Sequence, residues 1–420
     1  MTLNSQPNLK MSVPQLSNVR LFRVLHLSHT DVRVDGRILK ETSALSAEGL
    51  GYQVAVGIDR PDGAVASPPV SGVLLLALPS LARRLKGFRP CPAWIRYVAG
   101  FIDVTVRMAI IGLRCRPTVV HCHDVGFLHV GVFLKLVAGS KVVYDAHELE
   151  SARNGDGTIR SFCTLAVERL LWPAVDQFVS VSPGIIEWYR SRLGPKPSCL
   201  VMNAPDIRSG VGSASASSPD RYLHHKYGIP PSSTVCVYVG LFCEGRGIEA
   251  FAEAVKRIGD PVHFILLGFG EYLDLRKLVG KAHNIHVHPP VSHDRVVEII
   301  RSADIGVCLV EDVSLSDHLC LPNKLFEYAF AGVPVLASRL PEIAKVVGDY
   351  GLGVCCDNDA NSIEAALRKI RRDGLKTKKA DLTELSWHSQ VRSLTRAYRT
   401  LISSPGIPCR PSAGSAAGGK

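Results

Sequence analysis

Residues 319–338, LCLPNKLFEYAFAGVPVLAS, put a basic and an acidic side chain at the start of one helix and an apolar strand directly after it. Pro322 suits the first helical turn, where its missing N–H would have had no partner anyway. Lys324 and Glu327 follow at i,i+3 on one face, and Leu325, Phe326, Ala329 and Phe330 form the apolar side. Gly332 and Pro334 then stop the helix ahead of 333–337, a run short enough to be a strand buried in a parallel sheet. A helix that starts at the carboxyl edge of such a sheet turns its positive end toward the ligand crevice, so the expected chemistry is anion binding. The bland alternative is a solvated Lys324–Glu327 pair, which contributes little.

Arg246 lies in the turn Gly245-Arg246-Gly247. Flanking glycines let the backbone approach a ligand closely, and a permanently charged guanidinium can stabilise charge growing on a leaving group. His147, in Asp145-Ala146-His147-Glu148, follows a strand-like run and so occupies a loop at a strand's carboxyl end, where ligands are met. Other signals carry less. Gly268-Phe269-Gly270 lacks the third glycine of the dinucleotide spacing and is expected to shape a cleft. Asp357-Asn358-Asp359 precedes the helical pattern SIEAALRKI, where Asp and Asn are favoured caps, so no metal requirement follows from it. His121 and His123 alternate along a strand end, and the sequence offers them no further ligands, so no metal site is expected there.

The elements that must position these residues read as two α/β domains. At 420 residues and 45.5 kDa the chain can fill two ordinary cores. Apolar runs at 21–27, 52–58, 118–122, 141–145 and 177–181 alternate with helical patterns, and a second alternation begins at 234–239 and continues through 262–267, 284–288, 304–309, 333–337 and 352–355. Both halves are expected to be Rossmann-like doubly wound parallel sheets facing a cleft. The boundaries are placed at 1–19 (disordered), 20–205 (first domain), 206–232 (a Ser/Gly/Ala-rich linker), 233–380 (second domain), 381–402 (a terminal helix) and 403–420 (a disordered tail). The helix at the end carries Trp387, Val391, Leu394 and Tyr398 at helical spacing.

Net charge is +11, from 49 Lys+Arg against 38 Asp+Glu, which favours anionic partners. Charged residues are only 21% of the chain and no recognition motif joins the basic ones, so a nucleic-acid partner is not expected. The 12 cysteines lie in apolar runs without a CxxC pair, as reduced buried thiols do. With a polar first eighteen residues and no run near the roughly 20 apolar residues that span a bilayer, a cytoplasmic protein without a transmembrane helix is expected.

Taken in order, VDGRILKETSAL, VVYDAHELES, VSVSPGIIEWY with VMNAPD, VYVGLFCEGRGIEAF, PNKLFEY and SWHSQVRSLTRAY resemble the group 1 (family four) retaining glycosyltransferases of GT-B fold, in the PNKLFEY branch. The resemblance runs from about residue 20 to residue 401. It implies transfer of a sugar from a nucleoside diphosphate sugar to a polysaccharide or lipid-linked acceptor, without metal or other cofactor. By the same resemblance Glu327 grips the donor ribose, whose vicinal diol needs two acceptor oxygens. Arg246 holds the diphosphate with help from Lys324, Pro322 and Asn323, and Gly268 and Gly270 border the donor. His147 meets the sugar or acceptor, and Asp145, Glu148 and Gly36 are acceptor-side candidates. The family's terminal helix crosses back onto the first domain.

This chain departs from the family pattern at three places. Leu319 stands where many relatives carry the first of two glutamates, Leu241 replaces a second basic residue, and the loop with Gly36 lacks a glycine pair. Those departures keep two rivals open: a nucleotide-sugar epimerase of the same fold, and a non-catalytic member that binds nucleotide or lipid. The stretch 83–116 interleaves arginines and one lysine with Phe88, Trp94, Tyr97 and Phe101, a composition suited to peripheral docking on an anionic membrane surface, here the inner face.

Overall fold

The computed structural model describes residues 22–59, 70–81, 92–206, 221–270, 274–280, 282–291, 293–374 and 381–403. The expectations for 1–19, for the Ser/Gly/Ala-rich stretch 207–220, for 404–420, and for Arg83, Arg84, Lys86 and Arg89 lie outside those residues.

Both domains are parallel sheets. The first joins β1 (Arg23–Leu27), β2 (Tyr52–Ile58), β3 (Val73–Leu78), β4 (Val119–His123), β5 (Lys141–Ala146), β6 (Gln177–Ser180) and β7 (Ser198–Leu200) in the order β3-β2-β1-β4-β5-β6-β7. The second joins β8 (Thr234–Leu241), β9 (Val262–Phe269), β10 (Ile285–His288), β11 (Ile305–Cys308), β12 (Val335–Ser338) and β13 (Gly353–Cys356) in the order β10-β9-β8-β11-β12-β13. The central strands are buried along their length, as continuous apolar runs covered on both faces must be. Two strands of the first sheet were not anticipated. β3 is a half-exposed edge strand and β7 has three residues, too few for a periodic signal.

Crossover handedness sorts the helices. The steps β3 to β4, β4 to β5 and β5 to β6 all advance in one direction, so right-handed connections place the helices Ala93–Cys115, Leu128–Ala138 and Thr158–Leu171 on one face. The step β1 to β2 runs the other way and puts the helix Gly36–Ala47 on the opposite face. There it meets the terminal helix Trp387–Ser403, whose Trp387, Val391, Leu394, Tyr398 and Leu401 bury against Val24, Val119, Val143 and Val179 of the first sheet. Gln390 accepts a hydrogen bond from the Met202 amide at 3.0 Å, and Lys40 lies 4.7 Å over the Trp387 ring. Cys122, Cys236 and Cys308 are buried free thiols, and no described helix is long and apolar enough to cross a membrane.

Candidate active site

In the second domain the turn after β8 needs its glycines. Gly245 and Gly247 have φ of +79° and +62°, and a Cβ on Gly247 would lie 2.7 Å from Leu309 Cβ. Arg246, held between them, reaches Asp317 Oδ1 at 3.4 Å. Asp317 is set by Ser314, whose Oγ accepts from the Asp317 amide and donates to Asp317 Oδ2; burial raises the Asp317 carboxyl above its ordinary range. Sequence reading passed over Asp317, although it lies two residues before the position that was searched for a carboxylate.

The helix Asn323–Ala331 opens on the same space. Pro322 is its N-cap, with extended backbone, and Asn323 is the first helical residue, a correction of one position. No side-chain hydrogen bond caps this end. Tyr328 fixes the helix to the sheet: its Oη accepts from the Val239 amide at 3.1 Å and donates to Val237 O at 2.9 Å. Lys324 Nζ rests 3.6 Å from the Tyr238 ring centroid, and burial draws its ammonium down to about 8. Glu327, a turn later, is buried. Gly268 packs so closely that a Cβ would lie 1.9 Å from the Gly240 carbonyl oxygen. Gly270 presses on Phe242 in the same way.

The first-domain half is a network. His147 follows β5; its Nε2 is 3.0 Å from Asp145 Oδ2, its Nδ1 is 3.7 Å from Asp124 Oδ2, and its amide donates to Asp124 Oδ1 at 3.2 Å. Burial pulls the imidazole down, but Asp124 and Asp145 prevail and hold it up at about 10, so His147 is an imidazolium at neutral pH. Asp145 is fully buried and held well below the usual carboxylate range, because Arg37 forks onto both its oxygens at 2.9 and 2.8 Å. Arg37 Nη1 also donates to Val201 O and Asn203 Oδ1, each at 2.8 Å.

Behind this pair runs a chain of neutral histidines. Gln53 Nε2 donates to Leu50 O and Gly51 O, which turns its Oε1 toward His26 Nε2 at 3.1 Å. His26 therefore carries its proton on Nε2 and accepts from His123 Nε2 at 3.0 Å, leaving His123 Nδ1 to face His147 Nε2 at 3.3 Å. Burial lowers His26 and His121 to about 3 and His123 to about 4, so none competes for charge at neutral pH. His121 Nδ1 meets Tyr398 Oη of the terminal helix at 2.7 Å.

The expectation that His121 and His123 lack further ligands needs correction. Glu41, His121, His123 and Asp145, and separately His26, His121 and His123, bring donor atoms within 4.8 Å of one another. These are divalent-ion ligand types. Yet Asp145 is forked onto Arg37, and Glu41 Oε1 lies 3.0 Å from the same guanidinium, so a resident cation already faces both carboxylates and we assign no ion to the cluster. Asp359 caps the helix Ala360–Asp373 by accepting from the Asn361 and Ser362 amides, as the Asp357-Asn358-Asp359 string led one to expect.

One cleft of about 550 Å³ is lined by His147, Glu148, Arg246, Gly268, Pro322, Asn323, Lys324 and Glu327 together, a size that suits a small-molecule ligand. Asp317, Leu241, Pro290 and Val291 share the lining. Of the anticipated site residues, Gly36, Asp145 and Gly270 do not line it: Gly36 opens the helix behind its Asp35 cap, Asp145 lies beneath His147, and Gly270 faces Phe242. Glu148 accepts from Arg153 Nε at 2.8 Å. The two walls are tied by Leu149 N to Ser316 Oγ at 3.1 Å and by Ser182 Oγ to Leu319 O at 2.6 Å. Leu319 packs on the core of the first domain.

Comparison with known proteins follows the same two-domain division. Residues 233–373 match the family model described as glycosyl transferases group 1, and residues 41–204 match a glycosyl transferase 4-like domain. A D-inositol 3-phosphate glycosyltransferase from Xylanimonas cellulosilytica is 26% identical over 148 residues, which is 32% of this chain and 33% of that protein, so the match spans about a third of the relative. Among solved structures, sucrose-phosphate synthase from Thermosynechococcus elongatus aligns over 91% of this chain and 94% of its own, with a TM-score of 0.63 and 17% identity. Anabaena HepE in complex with UDP and glucose aligns over 90% of this chain and 100% of its own, with a TM-score of 0.65 and 11% identity. With its two parallel-sheet domains closed on one cleft and a family match in each, the chain belongs to the group 1 glycosyltransferases of GT-B architecture.

Proposed function

We propose that this protein transfers a sugar from a nucleoside diphosphate sugar to a carbohydrate or lipid-linked acceptor, with retention of configuration and without a metal ion at the diphosphate. The observation that carries the reading is the composition of the cleft: Arg246, Lys324 and the uncapped start of the helix Asn323–Ala331 gather positive charge on one wall, while His147 and Glu148 face it from the other. A diphosphate set against the first wall would have its leaving charge neutralised by Arg246 and the helix end. Glu327 would take the ribose diol with its two oxygens. His147, being charged, would donate one hydrogen bond, from Nδ1, to the sugar or acceptor rather than accept a proton, with Asp145 holding Nε2 and Asp124 holding the backbone amide. Asp317 would hold Arg246 in place until the phosphates arrive.

The test is binding and slow hydrolysis of a panel of UDP-, GDP- and ADP-sugars with EDTA present. The UDP series comes first because the related Anabaena structure holds UDP. One donor bound and cleaved with EDTA present, with retained anomeric configuration in the released sugar and with binding lost in Glu327→Ala, is the expected result. Cleavage only on adding a divalent ion would overturn metal independence. Epimerisation of the donor without acceptor, or nucleotide binding without turnover on any acceptor, would overturn transfer itself.

A further inference from the structure

Three of the helices on one face of the first sheet, beside Pro183–Leu193 on the same face, leave much of their apolar surface uncovered. The helix Ala93–Cys115 buries only Gly100, Val104, Met108 and Gly112, a single stripe at i,i+4 spacing, although most of its remaining residues are apolar. Leu128–Ala138 packs beside it and Thr158–Leu171 beside that, so their outer surfaces join. On this joined surface Trp94, Tyr97, Leu136, Ile159, Phe162 and Leu170 are each at least two-thirds exposed. Scattered exposed leucines need no explanation, but a contiguous patch across three helices does.

Charge names the occupant. The three helices carry Arg96, Arg107, Arg114, Lys135, Arg160 and Arg169 against two acids. Glu168 is buried, Asp103 is paired with Arg107, Asp176 with Lys135 and Asp156 with Arg160, which leaves Arg114 and Arg169 without an ion pair among the described residues. A second copy of this chain would set like charge against like charge around the patch, whereas an anionic lipid surface complements it, taking aromatic and aliphatic side chains to headgroup depth with arginines at the rim. Direction matters as well. Each of these helices enters from the carboxyl edge of the sheet, the edge that bears His147 and Glu148, so Trp94, Tyr97, Ile159 and Phe162 near the helix starts lie on the cleft side.

We infer that the outer face of the helices Ala93–Cys115, Leu128–Ala138 and Thr158–Leu171 is a docking surface for an anionic lipid bilayer. It reaches well beyond the basic stretch 83–116 legible in the sequence. Docked this way, the protein holds the mouth of its cleft at headgroup level, where a lipid-linked acceptor presents its polar end; that consequence, unlike the surface itself, rests on the transfer reading above.

The experiment is co-sedimentation of the full chain with vesicles of phosphatidylcholine alone and of phosphatidylcholine with phosphatidylglycerol, at low and high salt, beside a variant carrying Ile159→Ser, Phe162→Ser and Leu170→Ser and a second carrying Arg160→Glu and Arg169→Glu. Circular dichroism, thermal midpoint and donor binding are read on all three. The expected result is binding to the mixed vesicles that high salt releases, a loss of about 1,000-fold in the serine variant, since each of its three buried apolar side chains is worth roughly tenfold or more, and a loss of similar sign in the charge-reversed variant, with fold and donor binding unchanged. Absence of vesicle binding by the unaltered protein, equal binding to neutral and anionic vesicles, or a dimer dissolved by the serine variant would overturn the inference. Failure to bind any donor while vesicle binding persists would instead overturn the transfer reading and leave the docking surface standing.

Discussion

The two walls of the cleft are built on opposite plans. In the first domain the groups that hold His147 are already committed to one another: Asp145 is forked by Arg37, and a histidine chain anchored on Gln53 fixes the ring behind, although both Glu41 oxygens and His121 Nε2 are buried without a hydrogen bond. In the second, Arg246 makes one long contact to Asp317, Lys324 lies over a ring, and the helix at Asn323 starts without a side-chain cap. One wall is finished before a ligand arrives; the other keeps its positive charge uncommitted. Damage to the first wall should therefore appear first as lost stability, and damage to the second as lost ligand binding or turnover.

Arg37→Ala should break this contrast most forcefully. Removing the guanidinium leaves Glu41 buried without its cation and Asp145 with the His147 imidazolium alone, a change that costs about 3–5 kcal/mol. A large drop in the thermal midpoint, with donor affinity per folded molecule little changed, is the expected outcome of differential scanning calorimetry paired with titration. A fully stable Arg37→Ala protein would mean that the first wall is not held together in this way. Next in size is Arg246→Ala, which should lower turnover about 10²–10³-fold, the scale for losing one group that stabilises developing charge, and leave the thermal midpoint near that of the parent. Steady-state kinetics on the identified donor would check this, and a rise in KM with kcat unchanged would place Arg246 in ground-state binding only.

Glu327→Ala should do the reverse of Arg246→Ala: weaken donor affinity by about 10–100-fold, as expected for losing charge-assisted hydrogen bonds, with turnover at saturating donor largely kept. Calorimetric titration of nucleoside diphosphate against nucleoside monophosphate sharpens the point, because the ribose contact is common to both and the loss should be too. If the monophosphate loses nothing, Glu327 does not reach the ribose.

The same contrast explains what the sequence could convey. Lys324 and Glu327 belong to one contiguous segment, and Arg246 announces itself by its flanking glycines, so the second wall was legible without a structure. The first wall draws His26, Arg37, Glu41, Gln53, His121, His123 and Asp145 from five separate elements, and each, taken alone, passes for a core histidine or a surface charge on an amphipathic helix. Only the order β1-β4-β5 in the sheet makes them neighbours. Leu319 was legible as a missing carboxylate but not as a residue turned into the first domain. The docking face was half visible for a similar reason: LHVGVFLKLVA is apolar all round, as a fully buried helix would be, and nothing in it tells which side stays uncovered.

A smaller effect, of about tenfold, separates the walls by pH. With its ammonium near 8, Lys324 is charged below that value and neutral above it, while a diphosphate stays anionic throughout. Donor affinity should therefore be full near pH 7 and fall about tenfold by pH 9, and Lys324→Met should flatten that profile at the weaker level. His147 titrates in the folded state near 10 against an ordinary 6.5. Its folded value is raised, so its stabilisation is complete below pH 6.5 and declines as pH rises toward 10, at most about 1.4 kcal/mol per pH unit. Between pH 6.5 and 8 Lys324 begins to lose its proton, and Glu41, held up at about 7 by burial, titrates as well. His26, His121 and His123 add slope of the opposite sign near pH 6.5. His147 is therefore read as the difference between parent and His147→Gln denaturant melts, and that substitution should reduce the downward slope without touching the pH dependence of donor affinity. If one substitution flattened both profiles, the two walls would be a single electrostatic unit, and the division between a preset acceptor side and an uncommitted donor side would fall.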